Sequence, residues 1–245
     1  MSFESVMKAA RDGDQDAQVA MGYMFFKGDG VVQDRREAAR WFGLAADQGN
    51  AEAMCNLGHM RAHGEGLRPD LEKALELYRK SAELGYPRAM FNLAFMLTDV
   101  EGVEQDWEEA YKWYSKAADA GNLMAMYRVG VMDEEGRGTP RDPAKAVKAY
   151  TVCMENGYPK GGYRLGMMYL DGESVPRNQG KAVKCLAKAA DAGSEDAMLM
   201  LGKLSLSGEG MVKSERNAEK WLRKAASRGS LEAAEMLDRI KEERK

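Results

Sequence analysis

The stretch Asn50–Gly85, NAEAMCNLGHMRAHGEGLRPDLEKALELYRKSAELG, decides the fold because its pattern recurs every 36 residues along the chain. The glycine at its last position recurs without any insertion or deletion, at Gly13, Gly49, Gly85, Gly121, Gly157, Gly193 and Gly229. A helical pattern with a period of roughly 34 to 40 residues is the signature of stacked two-helix repeats, each of which buries its apolar face only against its neighbours. The sequence therefore predicts an all-α repeat array.

Each repeat contains the start and stop signals of two helices. Asn50 is a good N-cap for a first helix, helix A, which carries apolar residues at helical spacing and should end near Gly64. Asp70 is a good N-cap for a second helix, helix B, and Gly85 is its expected left-handed stop. Backbone geometry alone thus accounts for the recurring glycines and capping residues, without any chemistry.

A small residue recurs in the middle of helix A, at Gly22, Gly58, Ala94, Gly130, Gly166 and Gly202. Glycine inside a helix costs about 1 kcal/mol relative to alanine. We therefore expect a compensating gain at these positions, namely a close approach of helix A to helix B of the same repeat.

The period divides the chain into six repeats between two half-repeat caps. We expect a capping helix in 1–13 and another in 230–245, because solenoids end in polar half-repeats. The six predicted repeats are 14–49, 50–85, 86–121, 122–157, 158–193 and 194–229.

Charge and composition limit the classes of partner. The chain has 36 Lys plus Arg against 39 Asp plus Glu, a net charge of −3, so we expect neither nucleic acid nor membrane as a partner. No leader or apolar span is apparent, which predicts a cytoplasmic protein, although secretion without a leader stays open. Cys55, Cys153 and Cys185 are odd in number and occupy different repeat positions, which is typical of small core residues.

The repeats resemble the Sel-one-like repeat (SLR) family, whose members are close relatives of the tetratricopeptide repeats. The resemblance covers essentially the whole chain, and the segments that carry it include Trp41–Gly49, Trp113–Gly121, Ala197–Gly202 and Ala218–Gly229. It implies a right-handed αα superhelix that acts as an adaptor and holds a protein or peptide on a concave face lined by the A helices.

The chain departs from the family pattern at single positions. Val100 and Ser174 each stand where other repeats have a loop glycine, and Ala149 and Cys185 stand where helix B has a tryptophan. These departures affect individual repeats and leave the predicted architecture unchanged.

One face of helix A carries aromatic and polar residues where a merely solvated face would be polar throughout. The resemblance places these residues in the concave groove, where aromatic side chains supply apolar contact and Asn and Arg supply hydrogen-bond donors. Packing between neighbouring helices is the alternative for the aromatic residues. The predicted partner-binding residues are Asn56, Asn92, Arg128, Arg164, Phe91, Phe95, Tyr127, Tyr163 and His59.

Two sequence patterns suggest chemistry, and neither is complete. Cys55, His59 and His63 lie on one helical stripe with metal-ligand spacing, but a fourth ligand is not evident. Ser5 and Lys8 match the Ser-x-x-Lys of penicillin-recognising enzymes, but the accompanying Ser-Asp-Asn and Lys-Thr-Gly elements are missing. We therefore expect no catalytic residue, metal or cofactor.

The sequence is interpreted as a monomeric, non-catalytic scaffold that binds a protein or peptide. A β-lactamase-like or metal-dependent hydrolase built on the same repeats is the alternative from another class. A bacterial host-directed effector is a third possibility, because related arrays serve bacteria in that role. The identity of the partner is not encoded in this chain.

Overall fold

The computed structural model describes residues 3–242, and the regular secondary structure within this range is α-helix only. The described residues form two compact units, divided between Asn122 and Leu123. The helices of the first unit are α1 (Phe3–Arg11), α2 (Gln15–Lys27), α3 (Arg35–Asp47), α4 (Ala51–His63), α5 (Leu71–Glu83), α6 (Pro87–Asp99) and α7 (Trp107–Asp119). Those of the second unit are α8 (Leu123–Glu135), α9 (Pro143–Glu155), α10 (Pro159–Asp171), α11 (Gln179–Asp191), α12 (Glu195–Ser207), α13 (Glu215–Ala226) and α14 (Leu231–Glu242).

Within each unit every helix packs against the next one in the chain, which confirms the prediction of an all-α array of two-helix repeats. The even-numbered helices are the A helices and the odd-numbered ones are the B helices. The same backbone hydrogen bond joins the two helices of every repeat: the amide of the helix B N-cap donates to a carbonyl near the end of helix A, as from Asp70 to Arg61 at 2.9 Å. The tail residues 243–245 of the predicted C-terminal cap lie outside the described range.

The helices begin and end as the recurring residues predict. The Asn50 side chain accepts a hydrogen bond from the Ala53 amide, and Asp70 does the same for Lys73. Gly64 ends α4 in the left-handed conformation at φ +70°, where a side chain would be strained. Val100 occupies the corresponding position after α6 with an extended backbone, so this repeat lacks the left-handed stop.

The small residues in the middle of the A helices mark close helix crossings, as expected. A Cβ atom at Gly130 would lie 2.6 Å from the Tyr150 ring, and one at Gly202 would lie 2.6 Å from Leu222. Both neighbouring side chains are fully buried. The glycines therefore allow helix A to approach the large core residue of helix B.

The core of each unit runs between its A and B helices and consists mainly of alanine, leucine, methionine and aromatic side chains. All three cysteines are buried in it with free thiols. No helix within residues 3–242 combines the length and the apolar character needed to cross a bilayer.

Candidate partner-binding site

Two adjacent cavities lie along the A helices of the first unit. The first, which we call the polar cavity, has a volume of about 560 Å³ and lies between α2 and α4, with Arg88 of α6 at one side. The second, the apolar cavity, has about 310 Å³ and lies between α4 and α6. His59 of α4 lines both, so the two cavities are neighbours on the same surface.

The polar cavity contains a chain of hydrogen bonds across three successive A helices. The Tyr23 hydroxyl donates to Glu52 Oε1 at 2.7 Å, and Asn56 Nδ2 donates to the Tyr23 oxygen at 2.9 Å. Arg88 Nη2 donates to Asn56 Oδ1 at 2.6 Å. The Asn56 side chain, 5% exposed, is thus held on both sides by the chain itself and fixes the wall of the cavity.

Two cations at the polar cavity have no acidic partner. Lys27 Nζ lies 5.6 Å from the centre of the Tyr23 ring, and Arg88 contacts neutral groups only. Within residues 3–242 no carboxylate lies at ion-pair distance from either cation, while Glu52 is the one carboxylate that lines the cavity. The cavity lining therefore carries two cations against one carboxylate, beside hydrogen-bonding groups.

The apolar cavity is formed mainly by rings. Phe91 and Phe95 stack with their centroids 6.4 Å apart, and Phe91 also meets the buried Tyr114 edge-on at 5.5 Å. Phe95 is 37% exposed at the rim. Asn92 also lines the cavity, and its Nδ2 contacts Cys55 Sγ at 3.7 Å. The five predicted site residues of the first unit thus all line one or both cavities.

The histidine stripe is arranged differently from a metal site. The His59 and His63 rings stack 4.2 Å apart, and His63 Nδ1 donates to the His59 carbonyl oxygen at 2.9 Å. The Cys55 thiol is buried beside Asn92, and burial raises its pKa to about 11. Within the described residues no group of three or more His, Cys, Asp or Glu side chains is placed to hold a metal ion.

The lowered pKa of His59 predicts that the stability of the first unit depends on pH. Burial and the nearby His63 lower the pKa of His59, and their effect exceeds the opposing attraction of Glu65, whose Oε2 lies 3.3 Å from Nδ1. In the unfolded chain this pKa returns to about 6.5. Below that pH the unfolded state binds more protons, so the free energy of unfolding falls as the pH falls towards the lowered pKa.

We expect urea unfolding to show this loss between pH 7.5 and pH 5.5, and to show a smaller loss in His59→Gln. The same pH dependence in both proteins would contradict the attribution of this loss to His59.

The four predicted site residues of the second unit are half-buried. Tyr127 contacts the rings of Tyr150 and Tyr158, each at 5.7 Å between centroids, and burial raises its pKa. Tyr163 packs against the core of α11–α14. Arg128 lies near Tyr127.

Arg164 is paired within its own unit. Its Nε donates to Glu134 Oε2 at 2.9 Å, and the same oxygen accepts a hydrogen bond from the Tyr150 hydroxyl at 2.8 Å. Glu135 lies 3.9 Å from Arg164 Nη2. This guanidinium therefore supports the fold as well as facing the surface.

Sequence reasoning missed Lys27, Glu52 and Arg88 as site residues. Glu52 and Arg88 occupy the second position of an A helix, a column that continues as Met124, Lys160 and Asp196. The charge of this column changes sign between repeats, while the position that follows it is always alanine or glycine. That variation was the signal available in the sequence.

The fold defines the class of protein as an αα-hairpin repeat solenoid. The Sel1 repeat family model matches residues 15–50, 51–86, 87–122, 123–148, 161–194 and 195–230. The chain therefore belongs to the Sel1 repeat family, as the sequence resemblance predicted. Proteins of this family are commonly non-catalytic scaffolds for protein interactions.

Solved structures show the same fold. The crystal structure of c5321, a protective antigen of uropathogenic Escherichia coli with an SLR fold, matches with 31% identity and a TM-score of 0.91. The match covers 95% of this chain and 50% of that one, so the chain spans half the length of c5321.

A Sel1 repeat protein from Oxalobacter formigenes matches with 28% identity and a TM-score of 0.77, covering 92% of this chain and 99% of that one. The immunity protein Pa5087 of Pseudomonas aeruginosa shares the fold at 21% identity and a TM-score of 0.51, over 87% and 81% of the two chains. No curated protein matches the chain.

Proposed function

We propose that the protein is a non-catalytic scaffold that holds an extended segment of a protein partner against its A helices. The observation that carries this proposal is the pair of adjacent cavities, because Asn56, His59, Phe91, Asn92 and Phe95 line them. In the second unit we propose Tyr127, Arg128, Tyr163 and Arg164 as further contacts.

The two cavities suit different parts of such a segment. The apolar cavity, at about 310 Å³, is close to the lower end of the roughly 300–1,000 Å³ that is usual for sites of drug-sized ligands. This size suits one or two apolar side chains rather than a large cofactor. The polar cavity offers the ammonium of Lys27 and the guanidinium of Arg88 to carbonyl or carboxylate groups. An extended chain rises about 3.3 Å per residue, and the axes of packed helices are typically about 8–10 Å apart. A few residues of the partner segment therefore suffice to reach from one A helix to the next.

Loss of the Phe95 ring should weaken partner binding. Truncation of an exposed aromatic anchor typically costs about 1–2 kcal/mol, which is roughly a five- to thirtyfold weaker complex. The experiment is a quantitative affinity capture from the native cell with the wild type, Phe95→Ala and Leu84→Ala. Any candidate partner is then purified and its Kd is measured by calorimetry.

Leu84 is the matched control, because it is an apolar residue of the first unit, 59% exposed, that lines neither cavity. We expect a partner whose affinity falls in Phe95→Ala and is unchanged in Leu84→Ala. Equal affinity in all three proteins for every captured partner would overturn the proposal.

A further inference from the structure

The B helices carry a recurring tryptophan on which a basic residue stacks. Lys116 Nζ lies 4.1 Å from the centre of the Trp113 ring, and Lys224 Nζ lies 4.5 Å from that of Trp221. In both repeats the lysine follows the tryptophan by three residues, so the two side chains share one face of the helix. The Trp113 ring is buried and the Trp221 ring is half-buried, and each interacts with its lysine.

The fifth repeat retains this lysine and lacks the tryptophan. Cys185 stands at the tryptophan position in α11 and Lys188 stands three residues later. A cavity of about 270 Å³ opens at this place, with Leu165 and Tyr169 of α10 and Met154 of α9 as its apolar lining.

In the third repeat a tryptophan, Trp113, stands at the position of Cys185. The indole of Trp113 donates to Glu109 Oε1 at 3.1 Å on one side and meets Lys116 on the other. Two repeats further along the chain, the equivalents of Glu109 and Lys116 are Lys181 and Lys188. Both line the cavity. The cavity of the fifth repeat therefore lies at the tryptophan column, where Cys185 replaces the indole, and we call it the vacant indole position.

The charge around this cavity is positive and unneutralised. Lys181, Lys184 and Lys188 all line it, and no carboxylate of the described chain lies within ion-pair distance of any of them. Lys181 Nζ lies 5.3 Å from the Tyr169 ring centre. Residues 123–245 as a whole contain 22 Lys plus Arg against 18 Asp plus Glu, whereas residues 1–122 contain 14 against 21.

We propose that this cavity is a second docking site, which takes an aromatic side chain of an acidic protein segment. The aromatic ring occupies the vacant indole position and receives the Lys188 ammonium on its face. The acidic residues that flank the aromatic residue in the partner segment form ion pairs with Lys181 and Lys184. These ion pairs give the charge complementarity. The site is formed by α9–α11, and none of its residues belongs to the A-helix cavities of the proposed function.

A projecting side chain fits this cavity better than a membrane surface does. The cavity is a depression with an apolar floor, which a flat layer of lipid headgroups would leave empty. Its volume of about 270 Å³ is below the range usual for drug-sized ligands, which favours a single large side chain. The observations therefore favour a peptide over an anionic bilayer.

The test uses the full chain and a fluorescein-labelled peptide, Gly-Glu-Asp-Trp-Glu-Asp-Gly, with fluorescence anisotropy as the readout. We expect saturable binding that weakens about tenfold when the peptide tryptophan is replaced by alanine. We expect a similar loss in Cys185→Trp, because the protein then fills the cavity with its own indole as the third and sixth repeats do. Lys188→Glu is a second variant, chosen because Lys188 is exposed. It should weaken binding of the peptide by at least about tenfold.

Phe95→Ala is the control, and it should bind this peptide like the wild type, so that failure of this site is distinguishable from failure of the A-helix site. No saturable binding to the wild type would overturn the proposal, as would unchanged affinity in both Cys185→Trp and Lys188→Glu. Co-sedimentation with phosphatidylserine vesicles in the absence of peptide binding would assign the basic face to membranes and overturn it as well.

Discussion

Gly130→Ala is expected to lower the free energy of unfolding by up to about 2 kcal/mol. The added Cβ would lie 2.6 Å from the Tyr150 ring and 3.2 Å from the Ala149 Cβ. Tyr150 is fully buried and its hydroxyl is bonded to Glu134, so the ring has no free space into which to move. Overpacking of a core costs about 1–3 kcal/mol, and the better helix propensity of alanine offsets about 1 kcal/mol of it.

The control for this experiment is Gly43→Ala. Gly43 lies inside α3, and a Cβ atom there would meet no other atom within 4 Å. The substitution should therefore raise the free energy of unfolding by up to about 1 kcal/mol. Urea unfolding followed by circular dichroism measures both variants. If Gly130→Ala were as stable as Gly43→Ala, the interior glycines would not be required for the helix crossing.

The local structure was predictable from the sequence because its causes are local. An N-cap such as Asp70 bonds to an amide three residues later, and a stop such as Gly64 depends on its own φ angle. The strict period repeats these local signals along the chain, except where a column changes residue type, as at Val100. The glycine crossings were predictable for the same reason, since an unfavourable residue that recurs in mid-helix requires a packing gain.

The candidate site was less predictable, because its contacts join residues about 30 positions apart. The family resemblance placed Asn56 in a groove with Asn92, but it gave no sign of the bonds from Arg88 and to Tyr23 that fix its amide. Those bonds depend on side chains of the preceding and the following repeat. Nor does any single repeat reveal a cavity, because a cavity depends on what the neighbouring helices fail to fill.

Glu134→Ala is expected to destabilise the second unit by about 1–3 kcal/mol. Glu134 Oε2 accepts hydrogen bonds from the Tyr150 hydroxyl and from Arg164 Nε, and the glutamate side chain is only 15% exposed. Its removal leaves a buried hydroxyl without this acceptor, which typically costs about 1–3 kcal/mol. The Arg164 side chain is 40% exposed, so water solvates the freed guanidinium and the ion pair itself adds little.

Glu135→Ala is the matched control, since Glu135 is the adjacent carboxylate and lies 3.9 Å from the same arginine. The Tyr150 hydroxyl bonds to Glu134 instead, and the Arg137 partner of Glu135 is exposed, so the expected loss is below about 0.5 kcal/mol. Equal losses in the two variants would show that the Tyr150 bond contributes nothing.

Variants of Arg164 and Glu134 separate the two roles of Arg164, which are to stabilise the fold and to bind a partner. If the arginine stabilises the fold only through Glu134, then Arg164→Ala and Glu134→Ala will be non-additive in the double variant, because both remove the same bond. A partner that contacts the guanidinium would add a loss of affinity in Arg164→Ala, beyond any loss in Glu134→Ala, where the cation remains. The difference in affinity between these two variants therefore measures binding by Arg164 independently of its contribution to stability.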